Sequence, residues 1–291
     1  MRALNTAADL GFDIDSLARR YVTWQLARLD GGTSFKRYCR GDDGLWSACG
    51  VADADDAALA LWIELLYRTA GRRKMPASWR HSLDLSRRAL ASLWDAHVGV
   101  YVVSSTVKTG LFMDNIEVLS ALETAARTRR AVADGDRPAL LRGATRLRAA
   151  ITRVFWNRRT ATYRISTQPS EPNARFYPEV VGQVFPAAFG FGNPTHSSKA
   201  LVAQWLRRHE QEWVAAADSG DAWGLVAAAA ARTGHRAAVD CWLERTGRIR
   251  STSRWNVVDE VIFVILSAAK DLGHCSPDRD PSLRQGRQRN R

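Results

Sequence analysis

The chain has 291 residues, of which 46% are hydrophobic and 11 are Trp, enough to build one large domain or two ordinary ones. The formal net charge is +12, but the 42 Lys and Arg residues are scattered singly or in Arg-Arg pairs, which argues against a nucleic-acid-binding protein. Because the sequence contains neither an apolar run of about 18 residues nor a signal-peptide core, we expect a cytoplasmic protein without membrane contact.

Apolar residues recur with a period near 3.6 along most of the chain, which predicts an all-α fold. The N-terminus leads into an amphipathic helix, and a helix over 15–29 is stopped by Gly31 and Gly32. The Gly- and Asp-rich segment 40–52 is predicted to be a loop. The later helices are predicted over 55–70, 77–94, 114–127, 137–154, 178–189, 197–213, 221–231, 235–245 and 256–269.

Strongly apolar helices alternate with Arg-rich ones, as in a two-layer arrangement in which the apolar helices are buried inside and the Arg-rich helices face the solvent. The alternation predicts an α/α toroid of about five helical hairpins over residues 1–270, in which Leu59, Ile63, Val118 and Val181 are buried. Residues 271–291 are predicted to be a disordered basic tail. The stretch 264–272 is similar to the ends of frameshifted bacterial reading frames, so we expect a sixth hairpin to be missing.

A short motif repeats within the chain. Leu-Trp-Asp at 93–95, followed by Tyr101, recurs 62 positions later as Phe-Trp-Asn at 155–157, followed by Tyr163. Each copy ends an Arg-rich helix and predicts a short β-hairpin before the next apolar helix, with Gly99 in the first turn. Such self-similarity indicates a repeated supersecondary unit.

The four cysteines show no Cys-x-x-Cys pattern and no metal-ligand spacing with the six histidines, so we expect no metal and no cofactor. Cys39 and Cys49 could pair across a loop, but reduced thiols in a cytoplasmic chain are the simpler interpretation.

Acids and aromatic residues stand together at the starts of the apolar helices. If these helices lie parallel in one ring, their starts converge on one surface, and carboxylates beside flat rings suit a polysaccharide cleft. Helix capping is the alternative explanation for each acid alone. The candidate residues are Trp46, Asp53, Asp55, Asp56, Asp114, Glu117, Tyr177, Glu179, Gln183, Asp221, Trp223, Trp255 and Asp259.

The segments 52–57, 112–118 and 177–183 resemble inner-helix starts of the six-hairpin glycosidases, distantly those of glycoside hydrolase family eight. The resemblance implies an (α/α)6 barrel acting on a poly- or oligosaccharide. No Ser-Glu-Gly segment is present, so the acid of family eight has no counterpart in this chain.

Packed helices lie about 8–10 Å apart, a distance that suits the two carboxyls of an inverting hydrolase. We therefore expect Asp114 to be the base and Glu179 the acid, with Asp55 or Asp56 holding the sugar or serving as the base. A non-catalytic carbohydrate-binding or scaffold barrel is the alternative, and a basic scaffold for nucleic acid or a protein partner is a third.

Overall fold

The computed structural model describes residues 1–9, 11–29, 33–169, 175–192, 195–219, 221–250, 252 and 255–268. The chain is mostly helical, as predicted, with small two-stranded sheets between helices. It divides into two compact units, Met1–Ser198 and Lys199–Arg291, and each is described by itself. Among the described residues, none of the helices combines the length and the apolar character that a bilayer crossing needs. The predicted tail 271–291 lies outside the described residues.

The first unit is built around two long buried helices. The elements are α1 (Arg2–Asp9), α2 (Asp15–Leu26), β1 (Lys36–Arg40), β2 (Trp46–Val51), α3 (Asp55–Ala70), α4 (Ala77–Ser92), β3 (Trp94–Asp95), β4 (Val100–Tyr101), α5 (Phe112–Arg127), α6 (Arg129–Ala133), α7 (Arg137–Phe155), β5 (Trp156–Asn157), β6 (Thr162–Tyr163) and α8 (Phe185–Ala188). Helices α3 and α5 pack side by side, α4 packs on α3, and α7 packs on α5.

The predicted burial of the strongly apolar segments is confirmed by the exposed fractions of four of their residues. Leu59, Ile63, Val118 and Val181 are each at most 2% exposed, as predicted for the inner layer. Helix α3 is buried on almost every side, which follows from its apolar composition. A closed toroid over residues 1–270 stays a prediction.

Both predicted hairpins form, in matching geometry. Trp94 pairs with Tyr101 in the β3–β4 sheet, and Trp156 pairs with Tyr163 in the β5–β6 sheet. The two rings of each pair meet edge to face, with centroids 5.2 Å and 4.8 Å apart. Gly99 has φ +87°, the left-handed conformation that its place in the turn requires. The sequence repeat is therefore a structural repeat.

The predicted loop over 40–52 is wrong, because the segment belongs to a β-hairpin. Strands β1 and β2 pair antiparallel around a turn in which Gly44 has φ +78°. The dipeptide Asp43-Gly44 is a turn signal that could have identified it. Cys39 and Cys49 form a disulfide across the hairpin, and Cys241 is also disulfide-bonded, so the expectation of reduced thiols is wrong for these three cysteines.

The continuous helix predicted over 178–189 is wrong as well. A single π-helical turn spans Phe176–Val180, and α8 begins only at Phe185. Pro186 explains the interruption, because a proline inside a helix removes a backbone hydrogen bond and clashes with the preceding turn. Helix α2 also ends at Leu26, short of the predicted bound, and the predicted stop at Gly31 and Gly32 lies outside the described residues.

The second unit contains the remaining helices, α9 (Ser198–Ser219), α10 (Gly224–Arg232), α11 (Arg236–Thr246) and α12 (Val257–Ala268), of which α9 begins at the last residue of the first unit. Helix α9 is longer than predicted, whereas the bounds of α10 to α12 lie within three residues of the predicted ones. Helix α10 packs against both α11 and α12. Trp242, on α11, is 0% exposed and stacks on Trp255.

Candidate active site

In each copy of the repeat, the chain segment that follows the hairpin crosses the start of an apolar helix, α3 in the first copy and α5 in the second. We call each of these segments a strap. The segment after β4 crosses the start of α3, where Val103 accepts the backbone N–H of Asp55 at 2.8 Å. The segment after β6 crosses the start of α5, where Ile165 accepts the backbone N–H of Phe112 at 2.8 Å. Each strap satisfies a helix N–H that the helix itself leaves unpaired, so both helix starts are held firmly.

Two carboxyl groups lie at these helix starts without a cation partner among the described residues. Asp56 is 0% exposed; its Oδ1 accepts the backbone N–H of Ala57 at 2.9 Å, and its Oδ2 has no hydrogen-bond partner in the described structure. Oδ2 of Asp114 is also buried and unpartnered there. A buried oxygen without a donor costs free energy, so these two oxygens need an explanation.

Burial and neighbouring charge keep both carboxyls protonated to unusually high pH. Burial, and then the charge of Asp114, raise the pKa of Asp56 well above its ordinary value, and Glu117 adds to the rise. Burial raises the pKa of Asp114 too, with the charges of Glu117 and Asp53 adding to it. Because the two carboxyls interact, they titrate in two steps whose pKa values belong to the pair and not to either residue alone.

Two ion-paired carboxylates flank this pair. Glu117 meets Arg2 of α1, with 3.3 Å between Oε1 and Nε, and both side chains are largely buried. Asp53 is exposed and pairs with Arg37 of β1. We call Asp53, Asp56, Asp114 and Glu117 the acidic cluster. Its outer members have cations, whereas its inner members, Asp56 and Asp114, do not.

An aromatic ring stands beside the acidic cluster. Tyr177 is 50% exposed, and its pKa is raised first by burial and then by the charges of Asp114, Glu117 and Asp53. The side chain of Asp55 is half-buried, and burial raises its pKa. The predicted grouping of acids with an aromatic residue is thus present for the starts of α3 and α5 and for Tyr177.

Helix capping accounts for only part of the inner pair. Asp56 lies in the first turn of α3, and its Oδ1 accepts the backbone N–H of Ala57, which the helix itself leaves unpaired. In the second unit, Asn256 caps its helix in a similar way, because its Oδ1 accepts the backbone N–H groups of Val258 and Asp259 at 2.9 Å each. Capping does not explain the burial of Asp56 or the Oδ2 atoms of Asp56 and Asp114, which have no hydrogen-bond partner in the described structure.

Protein families, curated proteins and solved structures offer no match to this chain. The site is therefore interpreted from its own geometry. Within the described ranges, no three His, Cys, Asp or Glu side chains are grouped as metal ligands. The chemistry that the arrangement itself offers is proton transfer between Asp56, Asp114 and a bound molecule.

Three other predicted site residues of the first unit have different surroundings. Oε2 of Glu179 accepts the backbone N–H of Arg175 at 3.1 Å. The Gln183 amide bonds to the backbone of Tyr163 in both directions and to the carbonyl of Glu179. Trp46 is 57% exposed and lies beside the β1–β2 turn, five residues, or about 16 Å of extended strand, from Val51. Their roles stay predictions.

The predicted residues Asp221, Trp223 and Trp255 belong to the second unit. Asp221 is exposed, and Trp223 is half-buried with φ 48° immediately before α10. The indole Nε1 of Trp255 donates to Oε2 of Glu260 at 2.7 Å. Asp259 is buried and accepts the backbone N–H of Gly224 at 2.7 Å, a bond that links α12 to α10.

Sequence reasoning missed two residues that shape the acidic cluster. Arg2 reaches it from α1, and its guanidinium also lies over the Phe189 ring, 4.7 Å from the centroid. Asn115 is 0% exposed and bonds to the backbone N–H and carbonyl of Tyr101 and to the carbonyl of Leu111. Asn115 holds the first hairpin on α5 as Gln183 holds the second hairpin, so the repeat itself was the signal for both.

Proposed function

We propose that the chain is a glycoside hydrolase in which Asp56 is the general acid and Asp114 the general base. The observation that carries the proposal is the inner pair of the acidic cluster: two cation-free carboxyls with unpartnered buried oxygens at adjacent helix starts. Hydrolysis of a glycosidic bond needs one carboxylic acid and one carboxylate on opposite sides of that bond. The side chain of Asp56 is fully buried, whereas Asp114 is partly accessible, and Asp56 also feels the charge of Asp114, so it keeps its proton longer.

In the proposed reaction, binding of the substrate uncovers the buried carboxyl of Asp56, which gives its proton to the glycosidic oxygen while Asp114 takes a proton from water. The water oxygen bonds to the anomeric carbon as the bond to the leaving sugar breaks, and the configuration inverts. Asp56 ends ionised and Asp114 ends protonated, so one proton transfer between them restores the starting state. The spacing of adjacent helices favours the wider carboxyl separation of inverting enzymes.

The substrate is proposed to be an uncharged poly- or oligosaccharide. The acidic cluster carries up to four carboxylates, and its two nearby cations, Arg2 and Arg37, are already paired. A uronic acid would therefore meet like charge, with no unpaired cation among the described residues of the acidic cluster. The exposed ring of Tyr177 offers a flat apolar face on which a sugar ring can stack.

The test is release of reducing ends from a panel of neutral glycans by the full chain and by Asp56→Asn, Asp114→Asn and a control, Asp84→Asn, which lies on α4 outside the acidic cluster. We expect each inner-pair variant to lose about 10²–10⁴-fold in rate, the contribution of one acid or base, and Asp84→Asn to keep wild-type activity. On a substrate with an activated leaving group, which needs no acid, Asp56→Asn recovers and Asp114→Asn does not.

Glu179→Gln separates this proposal from the sequence-based choice of acid. If Glu179→Gln shows the recovery with activated substrates and Asp56→Asn does not, Glu179 is the acid. A folded protein that hydrolyses no glycan in the panel but binds one, with quenching of Trp or Tyr fluorescence, would be the carbohydrate-binding alternative.

A further inference from the structure

A second candidate site lies between helices α4 and α7. It is a groove of about 480 Å³, and none of its lining residues belongs to the acidic cluster. This volume is within the usual range for sites that bind small organic molecules. Binding in this groove does not depend on the proposed hydrolase activity.

The walls of the groove are apolar. Leu90, Leu122 and Leu140 contribute aliphatic side chains from three different helices. Gly143, in the middle of α7, opens the floor, because a Cβ there would lie 3.7 Å from Leu122 and occupy groove space. Glycine in the interior of a helix lowers helix stability, so the groove space next to Gly143 exists at the expense of the stability of α7.

Three arginines line the same groove, and its lining residues include no carboxylate. Arg87 is neutralised by Asp136, with 2.6 Å between Nη1 and Oδ1. Arg142 and Arg146 are exposed and have no ion pair within the described structure. They stand one turn apart on α7, where like charges repel and destabilise a helix.

Arg146 is held in a fixed place. Its guanidinium lies 3.8 Å from the centroid of the Trp94 ring, as in a cation–π pair. It also lies beside the hydroxyl of Tyr101, a buried groove residue whose pKa is raised by burial and lowered in part by Arg146. The positive charge at the groove edge is therefore oriented before any ligand arrives.

We propose that this groove binds an anion carried on an apolar body, such as an aromatic carboxylate. The anionic group would lie between Arg142 and Arg146 and relieve their repulsion, and the apolar body would fill the space above Gly143. Guanidinium groups bind carboxylates through paired hydrogen bonds. Burial of an aromatic ring against the leucine side chains is favourable because it removes apolar surface from water.

The test is calorimetric titration of the full chain with 1-naphthoate and with its uncharged analogue 1-naphthalenemethanol. We expect saturable binding of naphthoate, at least tenfold tighter than binding of the alcohol. Arg142→Gln/Arg146→Gln should weaken naphthoate binding at least tenfold. The matched control, Arg158→Gln/Arg159→Gln, removes the same charge from an exposed turn and should leave binding unchanged. Gly143→Leu should fill the groove and abolish binding.

Three results overturn the inference: no saturable binding of naphthoate, equal affinity for the alcohol, or equal loss in the Arg158/Arg159 control. The first removes the site, the second leaves only apolar adsorption, and the third leaves only attraction to a basic surface. Circular dichroism of each variant confirms the fold before titration, and the Arg variants decide the question if Gly143→Leu does not fold.

Discussion

The turns of the two hairpins have one position with a left-handed backbone, which is glycine in the first copy and a strained alanine in the second. Gly99 and Ala161 occupy equivalent positions, 62 residues apart, and both have positive φ, +87° and +53°. The left-handed conformation costs a residue with a Cβ about 1–2 kcal/mol, whereas glycine adopts it freely.

We therefore expect Ala161→Gly to stabilise the chain by about 1 kcal/mol and Gly99→Ala to destabilise it by a similar amount. Urea unfolding of each variant, followed by far-ultraviolet circular dichroism, measures both changes. Ala161→Gly is the cleaner measurement, because a Cβ at Gly99 would also lie 2.5 Å from the end of the Arg153 side chain, which has to move aside. Destabilisation by Ala161→Gly would show that the turn carries no strain.

At the residue scale, the sequence predicted the acids but not their partners. Asp56 and Asp114 were identifiable because each lies in the first turn of an apolar helix. Arg2 and Arg37 were not, because each meets its acid through a tertiary contact without a local sequence pattern, and the partner of Arg2 lies in a distant part of the chain. The distinction between paired and cation-free carboxyls, on which the proposed function rests, therefore required the structure.

At the element scale, the β1–β2 hairpin depends on its disulfide. Every residue of β2 is exposed, so little apolar burial holds the hairpin, and isolated two-stranded hairpins are marginal in water. Cys39 and Cys49 close a loop with a sequence separation of 10, which by the chain-entropy relation is worth about 2–3 kcal/mol.

We expect Cys39→Ser/Cys49→Ser to loosen the hairpin without unfolding the helices. Limited proteolysis should cut the variant after Arg40 within the turn region much faster than the wild type, while the helical circular dichroism signal stays unchanged. A loss of helical signal would show that the hairpin supports the α3 core. Equal cleavage of both proteins would show that the disulfide contributes nothing to its order.

Helices with a strong apolar period were predictable, and elements fixed by single residues were not. Helix α3 has the predicted bounds because its apolar run ends at Gly71, which has φ +58°. The interruption before α8 depends on Pro186 alone, and the β1–β2 hairpin depends on a turn and a disulfide. In both places the hydrophobic pattern, which averages over many residues, predicted a simpler element: a continuous helix in the first place and a loop in the second. The structure has an interrupted helix and a hairpin instead.

At the scale of the whole molecule, buried acids make stability depend on pH. Burial raises the pKa of Glu64 to about 7, against the opposing charges of Arg68 and Arg2, and burial also raises the pKa values of Asp56 and Asp114. A carboxyl whose folded pKa is raised binds more protons in the folded chain than in the unfolded one. Its contribution is therefore most favourable below the unfolded pKa, near 4, and is lost as the pH rises towards the folded value.

Asp56→Asn should consequently stabilise the folded chain at pH 8, by about 1–3 kcal/mol, the cost of a buried group without its hydrogen bonds. At pH 4, where Asp56 is protonated in the folded chain, the difference should nearly vanish. Urea unfolding at pH 4, 6 and 8 measures it, with Glu123→Gln as the control. Glu123 is partly exposed and pairs with Arg148 at 2.6 Å, so its amide variant should lose at most about 1 kcal/mol at pH 8.

Loss of stability in Asp56→Asn at pH 8 would mean that Asp56 is a structural acceptor, and the proposed catalytic role would lose its physical basis. A gain of stability together with a loss of hydrolysis is the outcome that a functional site predicts, because a group kept for chemistry is held at the expense of the fold. The two measurements on one variant therefore separate a catalytic carboxyl from a structural one without knowledge of the natural sugar.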